Sequence, residues 1–405
     1  MLSVGLRVHR VLIEANFSPE AAFEYGMIAQ NLVEGDGYSL KLGWGGMEMP
    51  TVHMPPGITF ILAGLYWLDD VDSAHFFFQM LQVAASAVTL VCVWQLTRKA
   101  FSERAAWVAA VLYVIDLNLM FTTVWVNETA LNMFFVYLGL WAVVRLDENP
   151  RYLTAAAVGL CFSLGALIGP VVLLILTLSL LWFLYRHRRQ LWVPVRHCAL
   201  TSVVVFSVLA PWTVRNYQVT QKFVPICSNW AINFWLSYNP AAAGSQFDAH
   251  GKPLRPTGAL KEQLRDATSE LEMDELLSAA GWKYVHEHPL EALQLRPYCF
   301  LYFWLDHNYW LDPMPFPTSW RIRGANFLLV GLTALGILAN WRVAGVSRLL
   351  LMIMMTIALF YTVFHADIGN RFRMQMEPIM LIFIGQLLVQ SADWLRRRTG
   401  SHRSV

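Results

Sequence analysis

Long apolar runs, each near the ~20 residues that cross a bilayer as a helix, alternate with short polar connections along most of this chain. They fall at Ser73–Gln95, Ala105–Val126, Thr129–Val144, Tyr152–Ile168, Pro170–Tyr185, Cys198–Val214, Gly324–Trp341, Leu349–Ala366 and Met374–Ala392, and predict membrane-spanning helices. The uncharged run from Tyr152 to Tyr185 is too long for one crossing, and Gly169-Pro170 is where it turns back. Gly57–Leu68 is apolar but too short to span, and behind Pro55-Pro56 it predicts a short or interfacial helix.

Two stretches break this rhythm. The first, Ala22–Pro56, is polar and acidic. Tyr25, Ile28, Ala29, Leu32 and Val33 recur at helical spacing, and Gly35, Gly37, Gly43, Gly45 and Gly46 then divide the stretch into turns. The second is the long loop from Arg215 to Arg323. Leu260, Leu264, Ala267, Leu271 and Leu276 predict an amphipathic helix there, and another is expected after His288-Pro289, through Leu293 to Phe303. Such a loop caps a helix bundle more readily than it folds alone. The pattern thus divides the chain into 1–72, an opening loop with short helices; 73–214, spanning helices; 215–323, a loop subdomain; and 324–405, further spans and a tail.

Charge orients these elements. Arg98, Lys99 and Arg104 share one connection, Arg145 and Arg151 another, then Arg186, Arg188, Arg189 and Arg196, then Arg342 and Arg348, then the tail with Arg396, Arg397, Arg398 and Arg403. All fall on the same side of the predicted spans, which the positive-inside rule makes cytoplasmic. The opening loop, the Asn127-Glu128 turn, the 215–323 loop and the Asp367–Arg373 turn then share the outer face. An outer opening loop calls for a span before it. Residues 1–15, interrupted by Arg7 and Arg10, are too short to supply one, so a helix before the given start is expected, with Leu2–Leu12 as its remnant the alternative.

Composition adds little beyond this. The chain is 56% hydrophobic and 14% charged over 405 residues, and its formal net charge of +2 carries no nucleic-acid signal. Cys92, Cys161, Cys198, Cys227 and Cys299 show no metal-binding spacing. Cys227 and Cys299 share one loop, where pairing and free thiols are both open.

Several outward residues carry chemistry. Glu24 sits in the first turn of a predicted helix, where a carboxylate suits the dipole and equally could serve as a base. Glu128 stands at the start of a span, as a cap or as a functional ionisable group at membrane depth. Arg371 and Arg373 lie on the outer side against the general bias, in HADIGNRFRMQMEP. Their forked donors match phosphate oxygens, and snorkelling is the simpler alternative. Trp230, Trp235, Tyr302, Trp304, Tyr309, Trp310 and Trp320 gather at the ends of the long loop, as an interfacial belt or as surfaces for sugar or lipid.

At this point the residues carry a resemblance. FEYGMIAQNLVEGDGYS is similar to the first outer loop of the polytopic GT-C glycosyltransferases, the class of the dolichyl-phosphate-mannose protein mannosyltransferases and of lipid A aminoarabinose transferases. PTVHMPPGITFILAGLYWL resembles the Pro-Pro segment that follows, WVNETALNMFF an acidic helix start, and APWTVRNYQVTQKFVPICSNWAINFWLSYNP the beginning of the large loop. EHPLEALQLRPYCFLYFW and NRFRMQMEPIMLI resemble later landmarks in the same order. The resemblance implies an all-α polytopic membrane protein, a helix bundle with a small extramembrane cap. It would move a sugar from a polyprenyl-phosphate donor to an acceptor hydroxyl on a lipid, glycan or protein at the outer face, with inversion.

On that resemblance the catalytic base maps to Glu24, although many members carry Asp a few residues earlier, where Glu20 stands here. Donor phosphate contacts map to Arg371 or Arg373, then Arg215 and His53, with Tyr25 and Glu128 in support; Asn229 and Asn239 at the loop entry stand as ligands for sugar hydroxyls or as turn formers. No tightly bound cofactor is implied, and neither a Rossmann motif nor an Asp-x-Asp metal site is assigned. A bacterial inner membrane, with the site facing the periplasm, fits the short cytoplasmic connections. A multi-pass transporter and a non-catalytic membrane subunit are the competing readings.

Overall fold

The computed structural model describes residues 1–14, 19–41, 48–243, 248, 252–305, 320–342, 344–365 and 371–400. The chain is helical almost throughout. Among the described residues, five helices are long and apolar enough to cross a membrane: α4 (Val71–Ala100), α7 (Thr129–Glu148), α10 (Trp192–Thr220), α16 (Val346–Phe364) and α18 (Glu377–Gly400). Shorter apolar helices accompany them: α3 (Pro56–Leu68), α8 (Tyr152–Ala166), α9 (Val172–Arg186) and the apolar part of α15 (Trp320–Ala339). This is an integral, multi-pass membrane protein.

The predicted crossing at 105–126 is instead two helices, α5 (Glu103–Ile115) and α6 (Leu117–Phe121), separated at Asp116. Asp116 is extended, and its carboxylate accepts the amide of Leu119 at 3.0 Å. A side chain that caps α6 cannot sit inside a continuous helix. The reversal expected at Gly169-Pro170 lies between α8 and α9. There the Gly57 amide at the start of α3 donates to the Leu167 carbonyl at 2.7 Å. A Cβ at Gly57 would come within 2.8 Å of that oxygen, so glycine permits this approach.

Residues 2–14 form a helix of their own, α1 (Leu2–Glu14), amphipathic and packed against α4, α5 and α6. At 13 residues and about 1.5 Å per residue it is shorter than the hydrocarbon core. Its buried Arg7 donates to Ser3 Oγ at 2.7 Å and to the Tyr113 carbonyl at 3.3 Å, and lies over the Tyr113 ring.

A buried cluster drawn mainly from α4, α7, α8, α9, α16 and α18 forms the main core, with Tyr137, Phe162, Phe183, Ile353 and Phe383 fully enclosed. The opening stretch is seated on this bundle. α2 (Phe23–Glu34) ends at Gly35 in the left-handed region, then β1 (Ser39–Lys41) pairs antiparallel with β2 (Glu48–Pro50). The long loop carries α11 (Trp230–Ser237), α12 (Gly258–Asp266), α13 (Glu270–Glu287) and α14 (Pro289–Leu305). The single amphipathic helix expected across 260–276 is broken at Ser269, whose hydroxyl accepts the Glu272 amide and starts α13 anew. No disulfide joins Cys227 to Cys299.

Candidate functional site

The opening stretch is locked by hydrogen bonds from distant parts of the chain. The Thr51 amide donates to the Tyr38 carbonyl at 2.9 Å, and the Tyr38 hydroxyl to the Met54 carbonyl at 2.8 Å. Arg215, in the last turns of α10, donates to the carbonyls of Thr51 at 2.6 Å and Tyr38 at 3.0 Å. Its guanidinium also lies over the rings of Tyr38 and Trp212. Glu270, first residue of α13, accepts the Val52 amide at 2.8 Å and the Thr51 hydroxyl. The Ser228 amide donates to the Val52 carbonyl at 2.9 Å. Residues 51–54 belong to no sheet; the amides of Thr51, Val52 and His53 and the carbonyls of Thr51, Val52 and Met54 find partners in Tyr38, the Thr51 hydroxyl, the long loop and α10.

This clamp aims His53 between two carboxylates, Glu24 and Glu270. Burial lowers the imidazole pKa, and the two carboxylates oppose that shift. Glu24 is exposed in the first turn of α2. The residue before it, Phe23, has φ +49°, a left-handed conformation that costs a bulky residue ~1–3 kcal/mol. The strain sits where the chain turns to present Glu24.

Behind Glu24, Tyr25 is buried close to Glu128, Arg371 and Cys227. Burial, with Glu128 adding, pushes the Tyr25 hydroxyl well above its usual pKa, so it stays protonated. Glu128, only 7% exposed, precedes α7 and pairs with Arg371 Nε at 3.3 Å. Arg371 opens α17 (Arg371–Met374), its side chain 31% exposed, and Glu24 contributes to its field. Five groups from four parts of the chain thus converge: Glu24, Tyr25, His53, Glu128 and Arg371.

The remaining expected residues stand elsewhere. Arg373, two positions on, is fully buried and pairs with Glu377 at 2.8 Å, also fully buried. Arg373 further donates to Asn326, and Asn118 to Glu377 at 2.9 Å. Asn239 shapes a turn, donating to the Trp235 carbonyl and accepting the Ala241 amide, each at 2.9 Å. Asn229 precedes α11 and contacts the Cys227 thiol. The Glu20 side chain, Tyr309, Trp310 and the Trp320 side chain lie outside the described residues.

Among the described residues, no three His, Cys, Asp or Glu side chains converge on a potential metal position. One Asp-x-Asp sequence does occur, Asp70-Val71-Asp72, and corrects the reading that assigned none. The structure uses Asp70 as the cap of α4, accepting the amide of Ser73 at 3.0 Å and its hydroxyl at 2.9 Å. Glu270 was missed from sequence. Its only signal was Ser269-Glu270 ahead of an apolar periodicity, which reads as a helix start.

Comparison with known proteins decides the fold. Residues 53–214 match the sequence profile described as dolichyl-phosphate-mannose-protein mannosyltransferase. ArnT from Cupriavidus metallidurans in the apo state superposes with a TM-score of 0.54 at 13% identity, over 93% of this chain and 57% of ArnT. The chain has the GT-C fold.

The GT-C likeness extends to the archaeal oligosaccharyltransferase AglB from Archaeoglobus fulgidus, solved with an inhibitory peptide and a dolichol-phosphate. It aligns over 100% of this chain and 52% of its own, with a TM-score of 0.55 at 12% identity. An Archaeoglobus fulgidus oligosaccharyltransferase tethered with an acceptor peptide gives 0.56 at 12% identity, over 98% of this chain and 49% of its own. This chain therefore spans about half the length of these structures. No curated protein matches it significantly.

Proposed function

We propose that this protein is a glycosyltransferase that moves a sugar from a polyprenyl-phosphate donor to an acceptor hydroxyl at the outer face of the membrane. The observation that carries this reading is the convergence of Glu24 and Arg371, with His53, Tyr25 and Glu128, where the opening stretch meets the ends of α7 and α10. The family match over 53–214 and the dolichol-phosphate in AglB support a lipid-linked donor.

In this reading Glu24, exposed and projected by the strained turn at Phe23, takes the proton of the acceptor hydroxyl as its oxygen attacks the anomeric carbon. The bond from that carbon to the phosphate oxygen breaks, and Arg371 meets the charge developing on the departing phosphate. One displacement with one base inverts the anomeric centre. Glu128 holds Arg371 in place, and its pairing leaves the half-open guanidinium oriented for a phosphate fork. His53, between Glu24 and Glu270, orients the base. Arg215 holds the 51–54 backbone, and Arg373 acts in a buried ion pair that anchors α17 to α18. Residues 215–323 cap the bundle, on the same side as the opening stretch and away from the basic connections.

The test is release of polyprenyl phosphate from a panel of polyprenyl-phosphate sugars, with cell-envelope extract as acceptor. Wild type should release it, and Glu24→Gln should not. Release by both would move the base to Glu20 or Glu128. Release by neither, from folded protein, would favour a transporter.

A further inference from the structure

Beside the proposed reaction centre, across the Cys227-Ser228 backbone, lies a cleft of about 290 Å³ between the start of the long loop and α13. Its relation to the centre is direct. Ser228 hydrogen-bonds to Val52, next to His53, and the Cys227 side chain lies near both Tyr25 and Asp274. Small-molecule sites typically enclose ~300–1,000 Å³, so this cleft suits a single ring and no more.

Its lining is mixed in a particular way. Phe223 and Trp230, 77% and 53% exposed, offer flat apolar faces. Asp274 and Ser228 provide polar atoms that face each other, and beyond that loose mutual contact Asp274 Oδ2 and Ser228 Oγ are both buried without a well-formed hydrogen bond. Native proteins leave few such groups unsatisfied. Burial pushes the Asp274 carboxyl up to about 7, Ser228 opposing and Glu270 adding, so near neutrality it can both donate and accept. Lys222 is paired with Glu275 at the edge. With Lys222 neutralised by Glu275 and a carboxyl group at Asp274, the cleft offers little to hold a phosphate or any other anion. Flat apolar walls, paired polar groups and no call for negative charge describe a neutral pyranose, whose C–H faces stack on aromatics and whose hydroxyls hydrogen-bond to carboxyl groups.

We propose that this cleft is an acceptor subsite, in which Trp230 and Phe223 cover one neutral sugar unit and Asp274 with Ser228 engages its hydroxyls. It rests on the glycosyltransferase reading and narrows the acceptor to a glycan-bearing molecule, one of whose sugars sits here while its neighbour presents a hydroxyl to Glu24.

The experiment is saturation-transfer NMR of the full chain in nanodiscs with glucose, galactose, mannose and N-acetylglucosamine. Wild type, Asp274→Asn, Trp230→Ala and Glu24→Gln are compared, with thermal unfolding as the folding control. At least one sugar should bind wild type and Glu24→Gln alike, and bind roughly tenfold more weakly to Asp274→Asn, the scale of one lost charge-assisted hydrogen bond. Trp230→Ala should weaken it similarly. No sugar binding to wild type, or binding unaffected in both cleft variants, overturns the proposal and returns Trp230 to an interfacial belt. The donor-release assay separates the two claims. Release with unaltered cleft variants sinks the subsite alone, whereas cleft binding without any release sinks the transferase reading while the sugar site stands.

Discussion

Replacing Glu270 with alanine removes the one side chain of α13 that reaches back more than two hundred residues to the opening stretch, where it accepts the Val52 amide at 2.8 Å and the Thr51 hydroxyl. Glu270 is 6% exposed, so neither partner has a ready water to replace it. A hydrogen bond to a charged group contributes ~1.5–3 kcal/mol, and stranding a buried donor costs a similar amount. Two such bonds would give roughly 3–6 kcal/mol. Arg215, Tyr38 and Ser228 still hold neighbouring backbone groups, so the loss is expected at the lower end, about 3 kcal/mol. Glu270→Gln keeps one acceptor oxygen and should lose about half as much.

The assay is amide hydrogen exchange of the full chain in nanodiscs. Pro50, Pro55 and Pro56 have no amide, so a peptide over this stretch reports only Thr51, Val52, His53 and Met54. At ~1.4 kcal/mol per tenfold, local opening should become roughly 100-fold more frequent in Glu270→Ala and about tenfold in Glu270→Gln. Protection at Ser228, bonded to Val52, should fall in parallel, while α8 and α16 stay unchanged. Sugar transfer should fall in the same order, because His53 loses the backbone that aims it. Exchange at 51–54 indistinguishable from wild type would refute the clamp, and with it the account of how His53 is held.

Other outcomes follow from the same geometry. Glu24→Gln should lower turnover by ~10²–10⁴-fold, the usual range for a lost general base, with no change in thermal unfolding. Arg371→Lys keeps the charge but not the fork, and should raise KM for the donor and lower kcat, whereas a merely snorkelling arginine would tolerate it. Glu377→Gln leaves Arg373 buried and uncompensated and should destabilise by ~3–5 kcal/mol, while Arg373→Met with Glu377→Leu should recover most of that; denaturation midpoints decide it. The raised Asp274 carboxyl, up to about 7 from 3.8, binds its proton more tightly folded than unfolded. Stability should therefore fall as pH rises from about 4 to 7, and Asp274→Asn should flatten that slope.

The bundle was legible in the sequence because a membrane imposes one strong rule: apolar length. The reversal at Gly169-Pro170 and the spans at α4, α7, α10, α16 and α18 follow from it. The rule misjudged the 105–126 run, because apolar content does not reveal that Asp116 spends its carboxylate on a cap. It also offered Leu2–Leu12 only as the remnant of a span, where a short amphipathic helix over residues 2–14 stands. Their single buried face, with Arg7 satisfied by Ser3 and Tyr113, is a tertiary arrangement.

The gathering of Glu24, Glu128 and Arg371 was visible only as loops sharing one face. What fixes it is invisible to periodicity, since Arg215 and Glu270 work by binding backbone carbonyls and amides of residues far away in sequence. That difference explains why two arginines two residues apart looked alike. Arg371 and Arg373 share type and side and both lie just before the last span, and pattern cannot rank them. In the fold, Arg371 is the first residue of α17 and remains about a third exposed beside Glu128. Arg373, one turn short of Glu377, points into the bundle and is sealed against it. A guanidinium with no exposed surface cannot meet a substrate phosphate without breaking a buried ion pair. On the proposed reading the phosphate role therefore falls to Arg371, and conservative replacement at the two sites should separate them: loss of donor affinity at one, loss of the folded protein at the other.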